Sequence, residues 1–293
     1  MCGVLSKFKT AYRIIIITII TNFFLIAIKI YLFVLTLSLA VLAYLMDSLM
    51  DLMNDVIAIY GAKIASKPAD RDHPYGHTKY DAFYSLIISS LIIGGAIEIF
   101  RDTAISIIYG RHVVFFSINV LYIFILLACI YSAIALVEFI YAKKLGIAIM
   151  AASALHYITD PVFTFIVFLG VYLSHIGYVF VDYILSIVIG IILISSAIRQ
   201  IRKQSVVLLD VVVLDPEKLR RVIMEKFPEV KDVHEITSRT DGVKIFLEFH
   251  IWLDPHLTLR EAHDKAHQIQ EYVESYIGKD KKTRILIHIE PEQ

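Results

Sequence analysis

MDSLMDLMND at residues 46–55 places Asp47, Asp51 and Asp55 at successive four-residue steps inside an otherwise apolar run. HYITD at residues 156–160 repeats that step with His156 and Asp160 in another run. Residues four apart on a helix share one face, so each segment gathers its ionisable groups into a single stripe. In lipid such a stripe is expensive: a central Asp costs about 2.5–3.5 kcal/mol on the insertion scale, and a Leu or Ile offsets only about 0.3–0.6. Lys29 is the one basic residue well inside a span, too little charge to neutralise these carboxylates. Ionisable groups retained inside a membrane point to ion pathways or proton relays. Two carboxylates from one helix, with an imidazole and a carboxylate from another, form a nitrogen–oxygen set able to close tetrahedrally. Such a set suits Zn²⁺ and not thiolate-seeking Cu(I). Asp55 is a less well placed member.

The composition agrees with a membrane setting. The chain has 293 residues, 58% hydrophobic and 19% charged, and a mean hydropathy of +0.70. A water-soluble domain carries about 45–50% apolar and about 25% charged residues, so one compact water-soluble fold is a poor match for this composition. Crossing a hydrocarbon core of about 30 Å takes about 20 apolar residues. Six runs meet that need, near Arg13–Val34, Leu37–Ala62, Ala82–Ile108, Val113–Tyr141, Gly146–Leu173 and Tyr178–Ile198. The opening MCGVLSKFKT precedes an apolar segment too long for a signal peptide and lacks a cleavage pattern. Lys7, Lys9, Arg13, Lys63, Lys67, Arg71, Lys79, Lys143, Lys144, Arg199, Arg202 and Lys203 fall on one side of the spans, against Arg101 and Arg111 on the other. This asymmetry predicts cytoplasmic N- and C-termini in a multi-pass protein of the cell (inner) membrane. Two domains are therefore expected: a six-helix all-α transmembrane bundle over 1–203 and a cytoplasmic domain over 204–293.

The tail reads as a small α/β domain. Asp215-Pro216 opens a helix through Phe227 as an N-cap followed by proline at the first helical position, and Pro228 ends it. A strand follows around Val230–Thr237, then a turn at Thr240-Asp241-Gly242, then an alternating strand over Val243–Leu253. Thr258 and Glu261 form a capping-box pattern for a helix to about Ile277, and Arg284–Glu290 alternates as a last strand. The order αββαβ predicts a ferredoxin-like sheet with helices on one face.

Two further clusters could ligate metal. DRDHPYGHTKYD at residues 70–81 sets two histidines four apart, with flanking carboxylates, around a Pro/Gly turn. In the tail, His288 and Glu290 alternate on the last strand and so share a face. His250 lies on the strand before it, His234 on the first strand, and His263 and His267 stand one turn apart on the second helix. The two cysteines, Cys2 and Cys129, form no CxxC pair, so neither a disulfide framework nor a thiolate metal site is indicated. No basic stripe or motif supports a nucleic-acid partner.

These segments together resemble the cation diffusion facilitators, in particular the bacterial YiiP-type zinc/proton antiporters. The resemblance spans nearly the whole chain after residue 10 and rests on MDSLMD, KPADRDHPYGHTK (67–79), HYITD, and the tail histidines around VHE, FHIWL, REAH and LIHIE. It implies a transport site at Asp47, Asp51, His156 and Asp160, and a loop site at Asp70, His73 and His77. It further implies a binuclear tail site at His234, His250, His263, His288 and Glu290, a homodimer, and a charge interlock between Lys79 and Asp210. Glu290 stands where the better-known members have aspartate, which keeps the charge and lengthens the reach. Asp55 and His267 match no expected ligand.

The expected activity is proton-coupled efflux of a divalent cation by alternating access, with Zn²⁺ as both transported and regulatory ion, Cd²⁺ as a second substrate and no organic cofactor. Its partners are metal ions, protons, membrane lipid and a second copy of the chain. Export of Fe²⁺, Co²⁺ or Mn²⁺ is the alternative within this class, and His156 disfavours Mn²⁺, which suits all-oxygen sites. A membrane-anchored metal receptor without transport is the rival of another class. An enzymatic role lacks support, since the chain has no HExxH and no nucleophile or oxyanion grouping beside the metal residues.

Overall fold

The computed structural model describes residues 2–65, 67, 69–110, 113–145, 148–278 and 282–292. The side chains of 2–15, 54, 55, 57–65, 142, 144, 145 and 148–156 lie outside the described set. Those of Asp55 and His156 are therefore among the undescribed, as are those of Lys7, Lys9, Arg13, Lys63 and Lys144 and the whole of Arg111, all used in the orientation argument.

Six long helices come first: α1 (Cys2–Thr36), α2 (Leu39–Ala65), α3 (Lys79–Tyr109), α4 (Ile118–Leu145), α5 (Ala148–His175) and α6 (Phe180–Leu208). Among the described residues, Ile16–Thr36, Lys79–Tyr109, Ile118–Tyr141, Tyr157–His175 and Phe180–Leu208 are long and apolar enough to cross a membrane. The remaining long helix, α2, carries the three aspartates.

The structure moves some expected boundaries. Helix α4 starts at Ile118, several residues beyond Val113, and the Phe115 N–H instead donates to the Thr36 carbonyl at 2.9 Å. Helix α6 continues past Ile198 to Leu208, because Gln204 and Ser205 extend it in polar sequence that hydropathy alone passes over.

The chain divides into two compact units, Met1–Ala58 with Ile87–Ile198, and Ile59–Leu86 with Arg199–Gln293. In the first, Leu25, Leu32, Tyr44, Leu127, Val167 and Leu193 form part of a continuous buried core. Gly190 on α6 keeps α3 close, since a Cβ there would stand 2.4 Å from the Phe100 ring. Asp182, near the start of α6, is fully buried, and its carboxylate caps the N-terminus of α2. It accepts the Leu39 N–H at 2.8 Å, the Ala40 N–H at 3.3 Å and the Ser38 hydroxyl, while Ser38 Oγ accepts the Val41 N–H at 3.1 Å. These groups satisfy the donors that begin a helix, and the negative charge complements its dipole.

The second unit contains the tail domain. Its elements are α7 (Pro216–Lys226), β1 (Asp232–Thr240), β2 (Lys244–Leu253), α8 (Leu259–Ile277) and β3 (Lys282–Pro291). Asp215 caps α7 by accepting from Glu217 and Lys218 N–H, and the Thr258–Glu261 capping box is formed in full. The sheet order is β1-β2-β3, with β1–β2 antiparallel and β2–β3 parallel through the α8 crossover. Leu247, Phe249, Ile251 and Leu253 on β2 pack with Leu219 and Ile223 of α7 and Ile269 and Val273 of α8. The intervening positions, Phe246, Glu248, His250 and Trp252, take the opposite face.

Replacing Asp182 with Ala strands buried donors at the start of α2. About 2–3 kcal/mol of stability should be lost, read as a lower melting temperature of the detergent-purified protein than for Asp182→Asn, which retains an acceptor.

Candidate metal centres

In the first unit, Asp160 is buried and Asp47 and Asp51 are half-buried. All three lie within electrostatic reach of Lys29, which is 1% exposed. The Lys29 ammonium donates to Ser48 Oγ and sits 3.1 Å from the centroid of the Tyr44 ring. Tyr44 in turn hydrogen-bonds Thr164, whose hydroxyl donates to the Asp160 carbonyl at 2.7 Å. Pro161 has no N–H for the Tyr157 carbonyl, so α5 is missing a helical hydrogen bond beside Asp160. His156 lies one turn before Asp160 on α5, its side chain outside the described set. Its neighbour Tyr157 accepts a hydrogen bond from Asn22 at 2.8 Å, tying α5 to α1.

In the loop, Asp70, His73 and His77 offer ligand atoms that all lie within 4.8 Å of one another. Asp70 Oδ1 accepts the His73 N–H at 2.7 Å and lies 3.3 Å from His73 Nδ1, while Oδ2 lies 3.4 Å from His77 Nε2. The His73 backbone N–H, then its ring and the neighbouring imidazoles, hold the Asp70 carboxyl below its ordinary value. His77 is 8% exposed and its Nδ1 has no hydrogen-bond partner among the described residues. An orphaned imidazole nitrogen beside a carboxylate fits a cation site.

In the tail, the register sets His234 beside His250 and His250 beside His288, three histidines abreast across three strands. Glu290, two residues along β3, reaches into this row: Oε2 lies 3.2 Å from His234 Nε2, and Oε1 lies 3.0 Å from His250 Nδ1 and 3.7 Å from His288 Nε2. His234, His250 and Glu290 bring ligand atoms within 4.8 Å of one another. Trp252 Nε1 donates to Glu290 Oε2 at 3.0 Å, and this bond, followed by the His250 interactions, depresses the Glu290 carboxyl. His234 Nδ1 has no hydrogen-bond partner among the described residues, although Asp232 Oδ2 lies 3.4 Å away. The donor set and this orphaned atom fit a metal ion. His263 is not brought into the row; it stands on α8 with its ring 4.6 Å from that of His267. The expected interlock is present, with Lys79 Nζ 2.8 Å from Asp210 Oδ1, and that bond is the main influence holding the Asp210 carboxyl below its ordinary value.

Residues 15–209 match the family described as the cation efflux transmembrane domain, and 214–292 match the cation efflux protein cytoplasmic domain. The chain belongs to the cation efflux, or cation diffusion facilitator, family. It is thus a multi-pass membrane transporter of cations and not an enzyme. An uncharacterized transporter of Methanocaldococcus jannaschii is 26% identical over 282 residues, covering 94% of this chain and 96% of the relative. The cation-efflux pump FieF of Klebsiella pneumoniae is 27% identical over 271 residues, covering 91% and 88%. The metal-bound C-terminal domain of the CzcD transporter from Thermotoga maritima is 27% identical, with a TM-score of 0.24, over 26% of this chain and 87% of that one.

Sequence reasoning underweighted one group and missed three. Lys29 was counted only as a deficient counter-charge. Asp182 and Glu138, the latter 3% exposed and accepting from Thr18 at 3.1 Å, are single acids in apolar spans with no periodic partner, though any intramembrane acid is itself a signal. Glu235 sits at positive φ of 48° in a β-bulge, where the pairing slips between His234 and Thr237, and its carboxylate comes 3.5 Å from His250 Nε2. A bulge that re-aims one side chain leaves no local sequence pattern.

Trp252 is the chain's one tryptophan, so its fluorescence should report on the tail site. Zn²⁺ titration of the full-length protein should change its emission, and Glu290→Gln should weaken that response. Trp252→Phe removes the leading influence that depresses the Glu290 carboxyl. Zinc release on acidification should then begin at higher pH, read with a metal-sensitive dye.

Proposed function

We propose that this transporter exports Zn²⁺, with Cd²⁺ as a second substrate, across the cell membrane in exchange for protons. It works as a homodimer whose termini face the cytoplasm. The observation that carries the reading is buried Asp160 with half-buried Asp47 and Asp51, all within electrostatic reach of buried Lys29 inside apolar helices. Three carboxylates against one ammonium leave two negative charges, which one divalent ion or two protons cancel. With His156 as the nitrogen ligand beside the three carboxylates, the set suits Zn²⁺ over Mn²⁺.

In this reading a dehydrated ion enters from the cytoplasm and is held by Asp47, Asp51, His156 and Asp160. The helices then rock to open the site outward, and protons compete for the same groups and release the ion. Ligation requires these groups to be deprotonated, so affinity is inherently proton-linked. Moving positive charge outward works against an inside-negative potential of about 2.3 kcal/mol per charge per 100 mV, and inward protons run with it. The gap left by Pro161 beside Asp160 gives α5 a place to flex. Asp70, His73 and His77 form a loop site, and His234, His250, His288 and Glu290 form a regulatory zinc site in the tail.

Flux of each metal into proteoliposomes tests the reading. Wild-type protein should carry Zn²⁺ with a matching proton counterflow, and Asp160→Ala, while folded, should carry none. His156→Asp should weaken the preference for Zn²⁺ over Mn²⁺. Normal zinc flux through Asp160→Ala would refute the assigned site.

Lys29 sets a second expectation. Lys29→Met removes a positive charge that repels the ion, so KM for Zn²⁺ should fall and kcat should fall with it as release slows; Lys29→Arg should restore both toward wild type.

A further inference from the structure

The second unit holds a cavity of about 930 Å³ that belongs to none of the metal clusters. The α2–α3 loop lines it with Lys67 and Tyr75, and the strand ends line it with Asp241, Lys244, Lys282 and Arg284. Lys244 and Lys282 are direct neighbours across the parallel β2–β3 ladder, and Phe246 and Arg284 are the next like-facing pair. Like charges placed side by side on a sheet destabilise it unless something neutralises them. Among the described residues, no carboxylate pairs with Lys67, Lys244, Lys282 or Arg284. The Arg284 guanidinium is held against the wall, 5.6 Å from the Tyr75 ring centroid, and Arg239 flanks the same ring at 5.1 Å.

The same open face of the sheet therefore has two electrostatic ends. Histidines and Glu290 occupy one, and unmatched cations occupy the other.

Asp241 adds an independent observation. It is 5% exposed, and its Oδ1 accepts the Val243 and Lys244 N–H groups at 2.8 and 2.7 Å. Its Oδ2 is buried without a hydrogen-bond partner among the described residues. A simple anion would satisfy the cations and leave this oxygen unpaired at a cost of about 1–3 kcal/mol. A ligand that fits both features carries an anionic phosphate and, a few bonds away, an N–H or O–H donor.

We propose that this cavity binds a phosphate ester bearing a hydroxyl or ammonium group. The phosphate lies among Lys244, Lys282 and Arg284, and the donor pairs with Asp241 Oδ2. Either a phospholipid headgroup or a soluble phosphate monoester has this chemistry. Pro74 and Tyr75 in the cavity wall lie between His73 and His77, so an occupied cavity also steadies the loop cluster.

The test uses the full-length protein in detergent. It is titrated separately with short-chain phosphatidylethanolamine, phosphatidylglycerol and phosphatidylcholine, and with glycerol 3-phosphate, and binding is read by native mass spectrometry and calorimetry. Phosphatidylcholine has no N–H or O–H for Asp241 and should bind at least about tenfold more weakly than the other two lipids. Lys244→Gln and Lys282→Gln should each weaken binding by about tenfold, and Asp241→Asn should abolish the preference over phosphatidylcholine while keeping phosphate affinity. Glycerol 3-phosphate that binds and competes identifies a soluble ligand; lipid binding without such competition identifies a headgroup. Lys282→Gln alone decides the matter if the Lys244 variant does not fold. Equal binding of all probes to wild type and variants, or binding of none, overturns the proposal.

Discussion

A charge inside hydrocarbon has to be matched by another charge or by dipoles fixed in advance, and the first unit is organised around that constraint. Lys29 on α1 is enclosed by the Tyr44 ring and Ser48 of α2, with the carboxylates of α2 and α5 in reach. A cation over an aromatic face is worth about 2 kcal/mol or more when desolvated, well short of the solvation it loses, so the carboxylates complete the match. Three helices are thereby tied by electrostatics at one level of the bundle. The polar links Asn22–Tyr157 and Thr18–Glu138 continue the tie along α1, and Asp182 fixes the beginning of the helix that bears Asp47 and Asp51.

The tail reaches a comparable concentration of ligands by a different route. A sheet has a two-residue side-chain period, so one face can hold a row of like residues while the other is wholly apolar. His234, His250 and His288 use that geometry, backed by Leu247, Phe249 and Ile251 on the buried face. Glu290 then contacts all three imidazoles with one carboxylate, for which the extra methylene relative to aspartate supplies reach. Asp70 plays the same bridging role between His73 and His77 on a loop, where a Pro/Gly turn substitutes for strand pairing.

What could be read from the sequence was local in origin. The Asp215 cap, the Thr258–Glu261 box and the strand alternation depend on residues within a few positions of one another, and the tail helices begin where those signals put them. The four-residue spacing of Asp47, Asp51, His156 and Asp160 is likewise a one-helix property, and it singled out the two helices of the membrane cluster. The capping of α2 by Asp182 spans more than 140 positions, and no periodicity announces it. The bulge at Glu235 and the separation of His263 from the histidine row were hidden for the same reason: both follow from how strands and helix register in space. Lys29 was visible as a residue, but its consequence was not, since a total of charges carries no distances.

Placing an ammonium among the carboxylates looks wasteful if tight binding is the aim, but a transporter must also let go. A closed structural zinc site binds with about 10–16 kcal/mol, which makes release far too slow for turnover. At an effective dielectric of about 20, a unit positive charge within a few ångströms of a divalent ion opposes it by several kcal/mol. In the proposed transport reading, a charged Lys29 brings a carboxylate-rich site from the structural range toward affinities compatible with passage, where binding is strong enough for entry and weak enough for exit. It achieves this without removing a ligand, so the geometry that selects the ion is kept. In the proposed exchange, the same ammonium lowers the negative charge that protons would have to cancel in the metal-free state. The residue that seemed too little to neutralise the cluster is, on this reasoning, the part that keeps the cluster reversible.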